Sequence, residues 1–174
     1  MAKEATPVYG KDRILMFRLY EKRTEANAAK LALQTKHTWK YEAKSDSTET
    51  KDGNINSPAV ATGTLEIEAV TSLDDVNNML KDAVLHSKKL EVWDINLADP
   101  QGEGEGKYSA TYAQGYMQSW EVPSEVGKLG ELKTEMNIDQ LPVDGVATLT
   151  ADQQSEIQYA FADTIPATEP VPAP

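Results

Sequence analysis

Three observations predict a mainly β domain with one flanking helix, an α+β chain. Apolar and polar residues alternate with period two in one segment after another. A single stretch, "SLDDVNNMLKDAVLHSKK", carries apolar residues at helical spacing instead. Between two of the alternating segments lies "KSDSTETKDGNINSP", Lys44 to Pro58, a polar run far longer than the two to five residues of an ordinary hairpin connection.

The first predicted strand is "RILMFRLY", Arg13 to Tyr20, with apolar residues on both faces as in a strand covered on two sides. Next, "EKRTEANAAKLALQT" is Ala-rich enough for a helical turn, yet Leu31, Leu33 and Thr35 alternate. Lys30 to Ala43 is expected as one long strand or two joined ones, with Trp39, Tyr41 and Ala43 on one face and Lys40 and Glu42 on the other. After the polar run, Thr64 to Val70 sets Leu65, Ile67 and Ala69 against Glu66 and Glu68, the pattern of a half-buried strand. In the helix, predicted over residues 72–88, Ser72 is the expected N-cap, and Asp74 and Asp75 occupy the first turn, where the helix dipole favours anions. Leu73, Val76, Leu80, Ala83 and Val84 form its apolar stripe.

Strands follow at Lys89 to Leu97, where Trp93, Ile95 and Leu97 alternate, and in "YSATYAQGYMQSWEV", where Tyr108, Ala110, Tyr112, Tyr116 and Trp120 are expected on one face. "ELKTEMNID" turns Leu132, Met136 and Ile138 inward, and "GVATL" is the last candidate strand. Residues 150–163 fit two readings: Thr150 and Gln153 can form a capping box, while Ile157, Tyr159 and Phe161 alternate as in a strand. The prolines at 166, 170, 172 and 174 predict an extended, mobile tail over 164–174. The expected organisation is an N-terminal arm at 1–12, a β domain over 13–149, the short element at 150–163 and the tail.

With 174 residues, 40% hydrophobic and 26% charged, the chain is sized for one soluble domain plus tails. No apolar run approaches the ~18 residues of a membrane helix, and "MAKEATPVYGKDR" has no hydrophobic signal region, so a cytosolic product without membrane contact is expected. The absence of cysteine excludes disulfides, thiol catalysis and thiolate metal sites. The net charge of −11 is uneven, because Lys133 is the last basic residue and Glu135, Asp139, Asp144, Asp152, Glu156, Asp163 and Glu169 follow unopposed. Such a balance argues against a nucleic-acid binder, which needs a basic footprint.

Chemistry-bearing motifs are weak. "GEGEGKY" lacks the spacing and the Ser or Thr of a phosphate loop, since only three residues separate Gly102 from Gly106 and Tyr108 follows Lys107. Asp99, Glu103 and Glu105 lack the alternation of a calcium loop. His37 and His86, the only histidines, have no triad context. The pairs Glu66 with Glu68 and Glu131 with Glu135 fit a solvated strand face better than acid–base catalysis. The tyrosine stripe could stack sugars or bases, but with no basic interleaving it fits a core face better. No catalytic residue, metal site or cofactor is expected.

Taken together, "KHTWKYEAKSDSTETKDGNINSP", "TLEIEAV", "MLKDAVLHSKKLEVW" and "LPVDGVATLTADQQSEI" resemble the major tail proteins of long, flexible-tailed bacteriophages, over about Ala5 to Thr164. The resemblance implies a β-sandwich or barrel-like tail tube subunit without enzymatic activity. Such subunits self-assemble into hexameric rings stacked as a tube that conducts DNA during ejection. The implied partners are further copies, the tape measure, tail terminator and distal tail proteins, with DNA passing unbound through the lumen and the protein made in the bacterial cytoplasm. The polar run becomes a stacking loop reaching the next ring, mobile until assembly: Ser45, Asp46, Ser47, Thr48, Glu49, Thr50, Lys51, Asp52, Gly53 and Asn54. In a tube that must not hold DNA, Glu66, Glu68, Glu135 and Asp139 are the acidic candidates for the lumen, an outer solvated face being the other placement. The alternative function is a monomeric β-sandwich binding module, a carbohydrate-recognition domain using the tyrosine stripe.

Overall fold

The computed structural model describes residues 5–103 and 106–157. The strands are β1 (Arg13–Leu19), β2 (Ala29–Lys30), β3 (Gln34–Glu42), β4 (Asp46–Thr50), β5 (Gly53–Ser57), β6 (Thr62–Val70), β7 (Lys89–Pro100), β8 (Lys107–Met117), β9 (Glu131–Ile138) and β10 (Val143–Thr148). Two helices join them, α1 (Asp75–Leu85) and α2 (Ala151–Ile157). All strand pairs are antiparallel. The main sheet runs β2-β1-β7-β8-β9-β6-β3, with β10 also on β8, and β4 and β5 form a separate two-stranded sheet.

β8 divides the sheet. Its first half, Lys107 to Tyr112, pairs with β10, and its end, Gly115 to Met117, pairs with β9. The change of partner brings backbones together at Gly115, where a Cβ would meet the Asn137 carbonyl oxygen at 1.9 Å. Only glycine fits there. The sheet then curls back on itself, so that β3, last in the order, reaches β1. The Gln34 side chain stands in for a strand neighbour, its Oε1 accepting from Leu15 N–H at 2.9 Å and its Nε2 donating to Leu15 O at 3.0 Å.

Alternation decides which residues fill the interior. On the inner face Leu15, Phe17, Leu65, Ile67, Leu90, Val92, Leu132 and Met136 are buried, and Leu80 and Ala83 of α1 close over them. Each such side chain contributes about 1.5–3 kcal/mol by leaving water. The other face of β1 and β7 is covered as well: Ile14, Met16 and Ile95 pack with Tyr108, Ala110 and Leu149, and Ile157 of α2 packs against them. The double covering explains the apolar run in β1.

Several expectations are corrected. The N-cap of α1 is Asp74, which accepts from Asn77 N–H at 2.8 Å, while Ser72 donates to the Asp74 carboxylate. The Asp74 carboxylate takes the backbone bond on Oδ1 and that of the Ser72 hydroxyl on Oδ2, so the serine supports the cap from one step further out. Leu73 precedes the helix and is fully exposed rather than part of the stripe. The stretch from Lys30 to Ala43 is broken, because Leu33 adopts φ +52° between β2 and β3. Trp120 lies beyond β8 and packs against the inner cluster, away from Tyr108 and Ala110. Residues 151–157 are helical, and Thr150 and Gln153 form the capping box, Gln153 N–H donating to Thr150 Oγ1 at 3.2 Å and Thr150 N–H to Gln153 Oε1 at 2.9 Å. The remainder of the 150–163 element, from 158 on, and the proline-rich stretch lie outside the described residues. No helix among the described residues is long and apolar enough to cross a membrane.

Candidate assembly surfaces

The polar run Lys44 to Pro58 contains a β-hairpin. Asp46 pairs with Ser57, Thr48 with Ile55 and Thr50 with Gly53, leaving Lys51 and Asp52 as a two-residue turn. Gly53 at φ +125° takes a backbone conformation that disfavours other residues, and the Thr50 hydroxyl donates to Gly53 O at 2.6 Å. Every residue of the hairpin is exposed, including Ile55 at 60%. At ~3.4 Å per residue its five-residue strands extend about 17 Å. Of the expected stacking residues, Ser45 precedes β4, Asp46 to Thr50 form it, Lys51 and Asp52 make the turn, and Gly53 and Asn54 begin β5. The expectation missed Ile55, although it is the one large apolar residue in the run and Asp52-Gly53 is a hairpin signature.

The acidic candidates share an uncovered face. Glu66 of β6 lies opposite Glu135 of β9, and Glu68 lies opposite Lys133. Both glutamates of β6 point away from the buried Leu65, Ile67 and Ala69. Directly opposed like charges destabilise a strand pair. Here the third strand supplies relief, since β3 sets Lys36 beside Glu68 at 3.9 Å, and Lys40, bonded to Glu42 at 3.2 Å, feels the charges of both Glu66 and Glu135. Asp139 falls just past β9 and pairs with Lys89 at 2.7 Å. The face thus interleaves its acids with lysines.

Buried carboxylates elsewhere hold the fold together. Asp94 of β7, inside the barrel, accepts from Arg13 Nε at 3.0 Å and Nη2 at 2.8 Å, from Trp39 Nε1 at 2.8 Å and lies 3.1 Å from His37 Nε2. Burial pushes the Asp94 carboxyl up, and the bonds from His37, Arg13 and Trp39 outweigh it, holding the group below the usual aspartate range. His37 is therefore part of a β1–β7–β3 clasp. His86 is an exposed residue closing α1 against Asp82. On the opposite face Glu91 accepts from Arg18 Nε at 2.8 Å and from the Tyr112 hydroxyl at 2.7 Å. Burial and the Glu91 carboxylate push the Tyr112 hydroxyl up to about 12. With Tyr108 buried, Tyr112 engaged and Trp120 in the other cluster, the aromatic stripe presents no continuous stacking platform.

Asp99 and Glu103 are exposed, Glu105 lies outside the described residues, and among those described no group of three His, Asp or Glu is placed to hold a metal ion. Exposed apolar side chains collect at the two ends of β6. Beside its start stand Tyr41 and Val60, with Ile55 in the hairpin that precedes it, and beyond its end stand Leu33 and Leu73, with Val126 and Leu129 in the loop tied there through Gly130.

Comparison with known proteins matches this architecture. The fold resembles the SPP1 tail tube solved by solid-state NMR and cryo-EM, with a TM-score of 0.69 and 18% identity over 96% of this chain and 98% of that one. It also resembles a chain from the tail of an empty gene transfer agent particle, with a TM-score of 0.59 and 10% identity over 83% of this chain and 100% of that one. A protein of Staphylococcus phage phiMR25 assigned to the tail is 27% identical over 158 residues, spanning 88% of this chain and 81% of the relative. Residues 7–144 match the phage tail tube proteins as a family, and the chain belongs to that family as a structural tube subunit.

Proposed function

We propose that six copies of the chain close into a ring, that rings stack into a hollow tail tube, and that the β4–β5 hairpin bridges each ring to the next. The observation that carries this reading is the hairpin itself. An isolated two-stranded hairpin is marginally stable in water, and this one buries none of its residues against its own domain. The C6 symmetry of the gene transfer agent tail supports the six-fold ring. The subunit does structural rather than catalytic work, is made in the host bacterial cytoplasm, and meets the tape measure, tail terminator and distal tail proteins where the tube begins and ends.

DNA passes through the bore without being held. The face bearing Glu66, Glu68, Glu135 and Asp139 lines it, since these carboxylates recur in each of the six copies and a wall that carries them offers phosphate no basic footprint to hold. The interleaved lysines keep the strands from repelling one another.

Deleting Asp46 to Asn56 and closing the gap with a short glycine-containing turn leaves a folded domain that builds no tubes, as judged by circular dichroism and electron microscopy. Tubes of normal length from that protein would refute the reading. Changing Glu66, Glu68, Glu135 and Asp139 together to lysine leaves tubes intact and slows or traps DNA during ejection. Normal ejection through intact variant tubes would place these acids outside the bore.

A further inference from the structure

The proposed stacking contact needs a second half: a surface on which the hairpin of the neighbouring copy rests. We propose that this surface is the apolar end formed by Leu73, Val126 and Leu129, and that Ile55 is the side chain seated on it. The inference rests on the reading of the hairpin as the ring-to-ring contact and names its counterpart.

The hairpin joins the sheet at the start of β6, Thr62, and the apolar end follows from its last residue, Val70. A strand of nine residues separates them, roughly 30 Å if straight. Joined head to tail, two different surfaces at opposite ends of one element make a heterologous contact rather than an isologous one. Such a heterologous contact repeats from copy to copy and builds an open assembly.

Backbone bonds fix the loops that carry the apolar end. Val70 N–H donates to Leu33 O at 3.0 Å and Thr71 N–H to Gly130 O at 2.8 Å, which ties both flanking loops to the end of β6. Between Glu125 and Lys128 the chain turns through Gly127 at φ +79°, and the Lys128 ammonium pairs with Glu125 at 2.9 Å across the turn. Val126, at the turn, is fully exposed, as is Leu73, and Leu129 is 77% exposed. Loop residues free to fold down would cover such side chains; a locked turn presents them.

Ile55 shares its hairpin face with Thr48, while Glu49 and Asn54 lie on the other. Asp46, Thr50 and Ser57 share the Ile55 face by register, so the hairpin offers one apolar anchor on an otherwise polar face, and a small apolar seat complements that anchor better than a charged one.

The chain has no cysteine, which makes the test clean. Ile55→Cys and Val126→Cys are combined in one chain, assembled, oxidised and run on a non-reducing gel. The expected result is a ladder of covalent multimers given by neither single variant. Dimers from Ile55→Cys alone would mean that hairpins meet one another, and uncrosslinked subunits in tubes verified by microscopy would place the seat elsewhere; either overturns the proposal. As a second arm, Ile55→Asp protein and Val126→Asp/Leu129→Asp protein each form single rings, and mixing preformed rings gives two-ring stacks and nothing longer. Tubes from the Val126→Asp/Leu129→Asp protein alone would also overturn the seat. If the Asp46 to Asn56 deletion still builds tubes, the stacking reading itself falls. If that deletion abolishes tubes and only the cross-link fails, the seat alone is wrong.

Discussion

In β6, Leu65, Ile67 and Ala69 are buried beneath a face of Thr64, Glu66 and Glu68, whereas in β4 and β5 every residue from Asp46 to Ser57 is exposed. Both regions are antiparallel, but β6 is paired on both sides, with β3 and β9, whereas β4 and β5 pair only with each other. They differ in where the side chains go. The barrel closes on itself through Gln34 and Asp94, and its core contacts are intramolecular. The hairpin has a well-formed turn, paired strands and nothing of its own domain to rest against. Folding free energy therefore resides in the barrel, and the hairpin is available to act between copies.

Of four substitutions that separate the two regions, the largest effect belongs to Asp94. Asp94→Asn leaves Arg13 without its buried anion and should cost about 3–5 kcal/mol in chemical denaturation. Because the Asp94 pKa is lowered in the fold, its contribution is present in full above ~pH 4, the ordinary aspartate value, and is lost as pH falls through the lowered native value. Wild type should lose stability on going from neutral to more acidic pH through that window, and the variant should lack this component.

Gly115→Ala comes next. A methyl group directed at the Asn137 carbonyl forces β8 from β9, and about 3 kcal/mol, the upper end of ordinary overpacking, is expected in the same assay. Tyr112→Phe removes a hydrogen bond to the Glu91 carboxylate and should cost about 1.5–3 kcal/mol. The smallest effect is assigned to the hairpin: Ile55→Ser should change the stability of the free subunit by less than about 0.5 kcal/mol while impairing tube formation in microscopy. A loss comparable to that of Tyr112→Phe would show that the hairpin belongs to the fold after all.

Much of the barrel was legible because alternation is a local signal. The inward and outward faces of β3, β6 and β9 agree with their sequence patterns, as does the double covering of β1. The Asp94 clasp was not legible, since Arg13, His37 and Trp39 reach it only once the sheet has curled, and no sequence period links residues so distant. The use of Gln34 as a substitute strand is hidden for the same reason. The hairpin was half-legible: composition identified its exposure, while the Asp52-Gly53 signal in "TKDGN" was masked by the lack of apolar residues that usually mark strands. The break at Leu33 has no sequence signal, because a leucine with φ +52° runs against its own preference.

The measurement that bears most directly on the central claim is amide hydrogen exchange of the hairpin in the free subunit and in assembled tubes, with the barrel as internal reference. The account predicts that amides of Thr48 and Ile55 exchange rapidly in the free subunit and become strongly protected in the tube, while those of Leu65 and Val92 are protected in both. Equal hairpin protection in the two states would contradict it.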